Sequence, residues 1–150
     1  MFKVAIGSDH AGYPLKEKIR AYLEQKGIEY IDCGAFSLES CDYAVYAKKT
    51  CEKVLSGEAK FGILCCGTGV GISIAANKVA GIRAANCGDY FSAKYTRLHN
   101  DANILCLGAR VIGDGLACEL VDVFLSTNFE GGERHIRRIS QITAIEKGDL

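Results

Sequence analysis

The feature that most constrains this chain is a short uncharged apolar run, Phe61 to Cys66, that breaks at three glycines within five positions. It resumes as Val70 to Ala80, which is apolar and rich in small residues. The first part reads as a strand buried on both faces and the second as a buried helix. A strand that stops at a glycine turn and restarts as a helix aims unpaired backbone N–H groups and a positive helix end at whatever fills the turn. An anion is the natural occupant. Cys66 stands directly before Gly67, where a helix N-terminus stabilises a thiolate. One segment therefore offers an anion cradle and a candidate base or nucleophile.

The rest of the chain repeats the strand-then-helix pattern. Lys3 to Gly7 reads as a strand running into Ser8-Asp9-His10, and Pro14 opens a helix carrying Leu15, Ile19, Tyr22 and Leu23 until Gly27. Ile28 to Cys33 is a second strand, Gly34 to Asp42 a polar loop, and Tyr43 to Leu55 a helix stopped by Ser56-Gly57. After the glycine turn come a strand over Ile82 to Cys87, an Asp89-capped helix over Phe91 to Leu98, and a strand over Asn103 to Leu107. A loop over Gly108 to Gly113 and a helix over Leu116 to Leu125 follow, and Glu133 to Glu146 has the pattern of an amphipathic helix.

Five alternations without a composition break predict one domain over residues 1–150, an α/β protein with a single five-stranded parallel sheet covered on both faces. Right-handed crossovers place the second and third strands on opposite sides of the first. The gap between the first and third strands is then a topological switch point, where ligands bind off the carboxyl ends. Those ends carry Ser8-Asp9-His10 and Cys66-Gly67-Thr68.

Composition excludes several classes. Lys and Arg balance Asp and Glu at 18 each, so nothing points to nucleic acid. No apolar run approaches the roughly 20 residues that cross a bilayer, and Asp9 and His10 interrupt the first apolar stretch as no secretion signal would be. A cytoplasmic protein is the expectation. Eight cysteines suggest a disulfide scaffold, yet Cys33, Cys65, Cys66, Cys87 and Cys106 fall in or at the ends of strand-like runs. Cys51 and Cys118 fall in helical patterns, and Cys41 alone sits in an evident loop. With no C-x-x-C pair and no histidines spaced for zinc, they read as small buried hydrophobes in a reducing compartment.

The glycine turn fits neither phosphate motif. No Lys follows for a P-loop, and Ile72 stands where a dinucleotide fingerprint needs its third glycine, although Asp89 lies at the distance of a ribose-binding acid. Close strand-helix packing is the plain alternative to ligand binding. Cys66 weighs evenly between buried and reactive, while Cys65 points the other way along the strand and reads as core. His10 and His99 sit at loops near the cleft, and His135 lies between arginines. Arg134 and Arg138 are four apart, share one helix face and could clamp a phosphate, as Arg110 could from its loop; a solvated basic face is the alternative.

Gly7-Ser8-Asp9-His10-Ala11-Gly12, Cys66 to Ser73, Ile82-Arg83-Ala84, His99 to Asn103 and Gly108-Ala109-Arg110 occur in the order found in the type B ribose-5-phosphate isomerases, and the chain resembles that family over essentially its whole length. The family includes allose- and galactose-phosphate isomerases. The resemblance implies a Rossmann-like three-layer sandwich that interconverts ribose 5-phosphate and ribulose 5-phosphate through a cis-enediolate, without metal or cofactor. It implies Cys66 as the base, with the Thr68 hydroxyl beside it. Asp9 would move a proton between the sugar oxygens, and His99 would open the furanose ring beside Asn100, which contacts sugar hydroxyls.

The same resemblance gives Gly67, Gly69 and Gly71 as oxyanion donors, His10, Arg110, Arg134 and Arg138 as the phosphate grip, and Tyr43 as pocket lining. Some relatives place a carboxylate base on the helix after the turn; Ala75 and Ala76 offer none here. A homodimer with the site shared between subunits, and the helix near 133–146 at the interface, is also implied, with a tetramer possible. A hexose 6-phosphate substrate, a nucleotide-binding regulatory domain and a thiol redox protein using Cys65-Cys66 are the alternatives.

Overall fold

The computed structural model describes all of residues 1–150. Its elements are β1 (Val4–Ser8), α1 (Tyr13–Gln25), β2 (Tyr30–Asp32), α2 (Tyr43–Leu55), β3 (Phe61–Cys66) and α3 (Val70–Asn77). They continue with β4 (Ala84–Asn86), α4 (Tyr90–Asn100), β5 (Ile104–Gly108), α5 (Asp114–Ser126) and α6 (Glu133–Lys147). All strands pair in parallel in the order β2-β1-β3-β5-β4. The second and third strands flank the first, as the crossover rule requires.

Alternation along the strands divides the core into two layers. Val4, Ile6, Ile63, Cys65, Leu105 and Leu107 face one way and pack on Leu15, Ile19 and Leu23 of α1 and on Leu120, Val121 and Phe124 of α5. Leu64, Cys66, Ile104 and Cys106 face the other way, onto Ala47 and Cys51 of α2 and Ile72 and Ala76 of α3. Helices thus cover both faces of the sheet, giving the three-layer Rossmann-like arrangement. The adjacent Cys65 and Cys66 fall in different layers.

Two strands are shorter than their sequence patterns. The stretch from Ile28 to Cys33 forms a ladder only over Tyr30–Asp32, and Ile82 to Cys87 only over Ala84–Asn86. Both lie at the edges of the sheet, where pairing on one side alone leaves their ends free to turn away. Asp89 caps α4, its Oδ1 accepting the Ser92 N–H at 2.8 Å. No helix is long and apolar enough to cross a membrane.

Two close approaches pack the loops at the carboxyl ends of the strands. A Cβ on Gly12 would lie 2.1 Å from the Cys65 carbonyl oxygen, so the start of α1 sits directly on the end of β3. A Cβ on Gly69 would lie 2.2 Å from Asn86 Oδ1, and φ of +80° there independently requires glycine.

Candidate active site

Cys66 is the last residue of β3, and its side chain reaches the first turn of α3. Gly69, the left-handed N-cap of that helix, donates its N–H to Cys66 Sγ at 3.0 Å. The sulfur therefore takes up one of the donors that a helix start leaves unpaired, at the positive end of the helix. Thr68 folds over the same turn, its Oγ1 accepting the Val70 N–H at 3.2 Å. Of the three turn glycines, Gly69 has its N–H on the sulfur, while Gly67 and Gly71 line the adjoining cavity.

That cavity, about 410 Å³, lies off the carboxyl ends of β1 and β3. Asp9 enters from β1, 6% exposed, with Oδ1 accepting the Gly12 N–H at 2.9 Å. His10 Nδ1 accepts the Cys41 N–H at 3.2 Å, which anchors the ring to the loop before α2. Arg110 comes from the loop after β5, held by its N–H donating to the Gly67 carbonyl at 2.9 Å. A Cβ on Gly67 would stand 3.4 Å from the Arg110 guanidinium, and one on Gly71 would stand 2.9 Å from the Tyr43 ring. The glycines thus hold the turn and also leave room for Arg110 and Tyr43.

His99, Asn100 and Arg138 line a different cavity of about 560 Å³, bounded by α4, the end of β4 and α6. No residue lines both cavities. The residues expected at one site therefore form two groups within the chain: Asp9, His10, Tyr43, Cys66, Gly67, Thr68, Gly71 and Arg110 in one, His99, Asn100 and Arg138 in the other. Arg134 belongs to the second group through α6, its Nε lying 3.3 Å from His135 Nε2.

Four buried thiols outside the Cys66 cavity have raised pKa values. Burial pushes Cys51 up to about 12 and Cys87 to about 11, and drives Cys65 and Cys106 well above the ordinary thiol range. All eight cysteines are free.

Sequence spacing gave no sign of the grouping of His99, Glu130 and His135, whose donor atoms lie within 4.8 Å of one another. The fold assembles it from α4, the α5–α6 connection and α6. Three such donors suggest a metal site, but the His99 and His135 rings are stacked, 4.1 Å between centroids and 12° from parallel. A ligating imidazole holds the metal in its own plane, and two nearly parallel planes so far apart share no point between the rings. These residues fit mutual packing rather than chelation.

A sequence model described as Ribose/Galactose Isomerase matches residues 4–142. Ribose-5-phosphate isomerase B of Escherichia coli is 52% identical over 147 residues, covering 98% of each chain. Galactose-6-phosphate isomerase subunit LacB of Clostridium acetobutylicum is 40% identical over 150 residues, 98% of this chain and 87% of that one. Among solved structures, that of Clostridium thermocellum Ribose-5-Phosphate Isomerase B superposes with a TM-score of 0.95 at 52% identity, covering 99% of both chains.

Proposed function

The chain belongs to the ribose/galactose isomerase family, and from that premise we propose that it interconverts ribose 5-phosphate and ribulose 5-phosphate with the Cys66 thiolate as base. The observation that carries the assignment of the base is the Gly69 N–H on Cys66 Sγ, at a helix start and on the wall of a cavity that also holds Asp9, His10 and Arg110.

In the open-chain aldose the thiolate removes the proton on C2, and the electron pair moves onto the carbonyl oxygen to give a cis-enediolate. Asp9 transfers a proton between the two sugar oxygens, and the thiol returns its proton to C1. The Gly67 and Gly71 N–H groups face the developing oxyanion; fixed donors of this kind commonly supply the largest share of rate. Thr68 adds a hydroxyl beside the sulfur, and Tyr43 walls the sugar pocket. His99 opens the furanose, Asn100 contacts sugar hydroxyls, and His10, Arg110, Arg134 and Arg138 grip the phosphate. The chemistry needs neither metal nor cofactor, because a thiolate and backbone donors handle both proton and charge.

The whole chain acts as one isomerase domain, and the separation of the residues into two cavities supports a homodimer in which each site takes one group from either subunit. Helix α6 buries only His135 and leaves Ile136, Ile142 and Ile145 about half exposed or more, as an interface helix would in a lone chain. Val70 and Ile74 of α3 and Phe91 of α4 are exposed in the same way. A sugar-phosphate substrate supports the cytoplasm as its compartment. The pentose is preferred to a hexose 6-phosphate because the identity to ribose-5-phosphate isomerase B exceeds that to the galactose-6-phosphate isomerase subunit.

Replacing Cys66 by Ala tests the base. Turnover of ribose 5-phosphate should fall by about 10³-fold or more, with binding and fold retained. A variant that keeps most of its activity refutes the assignment. A spectroscopic assay across ribose, allose and galactose phosphates settles the substrate length.

A further inference from the structure

Beside His99, on the wall of the second cavity, stand two groups to which the mechanism gives no part: His135, which lines the cavity, and Glu130 behind it. His135 is 3% exposed, the single buried side chain of α6, and its Nε2 lies 2.8 Å from Glu130 Oε1. The same nitrogen is 3.3 Å from Arg134 Nε, and one nitrogen cannot both donate and accept. The shorter contact decides: Nε2–H donates to the carboxylate. Burial, followed by the neighbouring His99, lowers the tendency of His135 to take up a second proton, so the ring is neutral near pH 7.

Glu130 is fixed in turn. Its backbone N–H donates to the Leu98 carbonyl at 3.2 Å, tying it to α4 one residue before His99. Gly132 makes the approach possible, since a Cβ there would stand 3.3 Å from both Glu130 Oε1 and His135 Cδ2. Against this braced ring lies His99, flat, at 4.1 Å. A second contact constrains it from within α4, where Tyr95 meets the His99 ring at 78° and 5.0 Å and is itself stacked on Phe91.

We propose that Glu130 and His135 are positioning residues for His99, holding the plane of its imidazole for the opening of the cyclic sugar phosphate. The inference rests on the ring-opening role given to His99 above. In that step the bond from C1 to the ring oxygen breaks, the ring oxygen gains a proton, and the C1 hydroxyl loses one to become the carbonyl. No net proton or electron is consumed. Direction matters more than proximity for such a transfer, because small misplacements of a catalytic group cost large factors in rate.

The two halves of the reaction can be read separately. Ribulose 5-phosphate carries its phosphate on the oxygen that would close a furanose, so it is acyclic. Exchange of its C1 hydrogen with deuterated solvent, followed by proton NMR, needs the base but no ring opening. Conversion of ribose 5-phosphate needs both. His135→Ala and Glu130→Ala should lower conversion by about 10- to 100-fold while exchange stays within roughly threefold of the unaltered enzyme. Glu130→Gln, whose amide oxygen still accepts from His135, should retain most of the conversion.

His99→Asn is the reference, and it should show the same split between conversion and exchange. If it does while His135→Ala and Glu130→Ala convert normally, the positioning role is overturned and that of His99 stands. Loss of conversion and exchange together in the His135 and Glu130 variants also overturns it, in favour of a purely structural role. If His99→Asn itself shows no split, the ring-opening assignment fails and the inference fails with it.

Discussion

Lys16 is 1% exposed, although its place one residue beyond Leu15 on α1 reads as the solvated flank of an apolar stripe. Its ammonium bonds both Asp32 oxygens, at 2.7 and 2.9 Å, and lies over the rings of Tyr13 and Phe36. Asp32 Oδ1 also accepts the Gly34 N–H, so the ion pair ties α1 to the loop that shapes the Cys66 cavity. Removing one partner strands the other charge, so Lys16→Ala should cost about 3 kcal/mol in urea unfolding. Combining Lys16→Met with Asp32→Asn should recover most of that loss. The partners are sixteen positions apart, and no periodic pattern exposes such a pair. Cys66 was legible for the opposite reason: its environment is local, a strand end, a glycine turn and a helix start in sequence order. His135, set between two arginines, gave only a basic helix face until the fold brought Glu130 and His99 against it.

Among the elements, α4 has the most heavily clamped end. Asp101 closes it in the left-handed region, at φ of +46°. Arg97, 4% exposed, donates to the Asp101 carboxylate at 2.7 Å, to the Ala102 carbonyl at 2.6 Å and to the Thr127 carbonyl at 3.2 Å. Its guanidinium also packs over Phe61 and Phe124. Arg83 grips the same corner through the Asn100 and Asp101 carbonyls. His99 and Asn100 therefore stand on a fixed base. A lysine cannot present a planar fork to three acceptors, so Arg97→Lys should cost about 2 kcal/mol in chemical unfolding and weaken amide-exchange protection over residues 98–102. The element order and the placing of β2 and β3 beside β1 follow from alternation and handedness. The position of β5 between β3 and β4, and the shortness of both edge strands, follow from long-range pairing that a linear pattern does not encode.

For the whole molecule, the proposed sharing of sites between subunits would have an arithmetic consequence. Cys66→Ala and His99→Asn homodimers would each lack one necessary group at both sites. A mixed dimer would unite both defects in one site and leave the other intact. Random reassociation of equal amounts should then restore about a quarter of the unaltered activity, with half the dimers mixed and one working site in each. If one chain held a complete site, mixing would restore nothing. Activity measured after subunit exchange separates the two cases.

The raised thiols bear on how such a protein survives electrophiles. Thiolate is the form that alkylating agents and peroxides attack, and burial keeps Cys51, Cys65, Cys87 and Cys106 protonated in neutral solution. Cys33 and Cys118 are shifted the same way. A chain rich in sulfur thus offers a reagent few targets, and adduct formation or scrambled cross-links are discouraged at six of its eight positions.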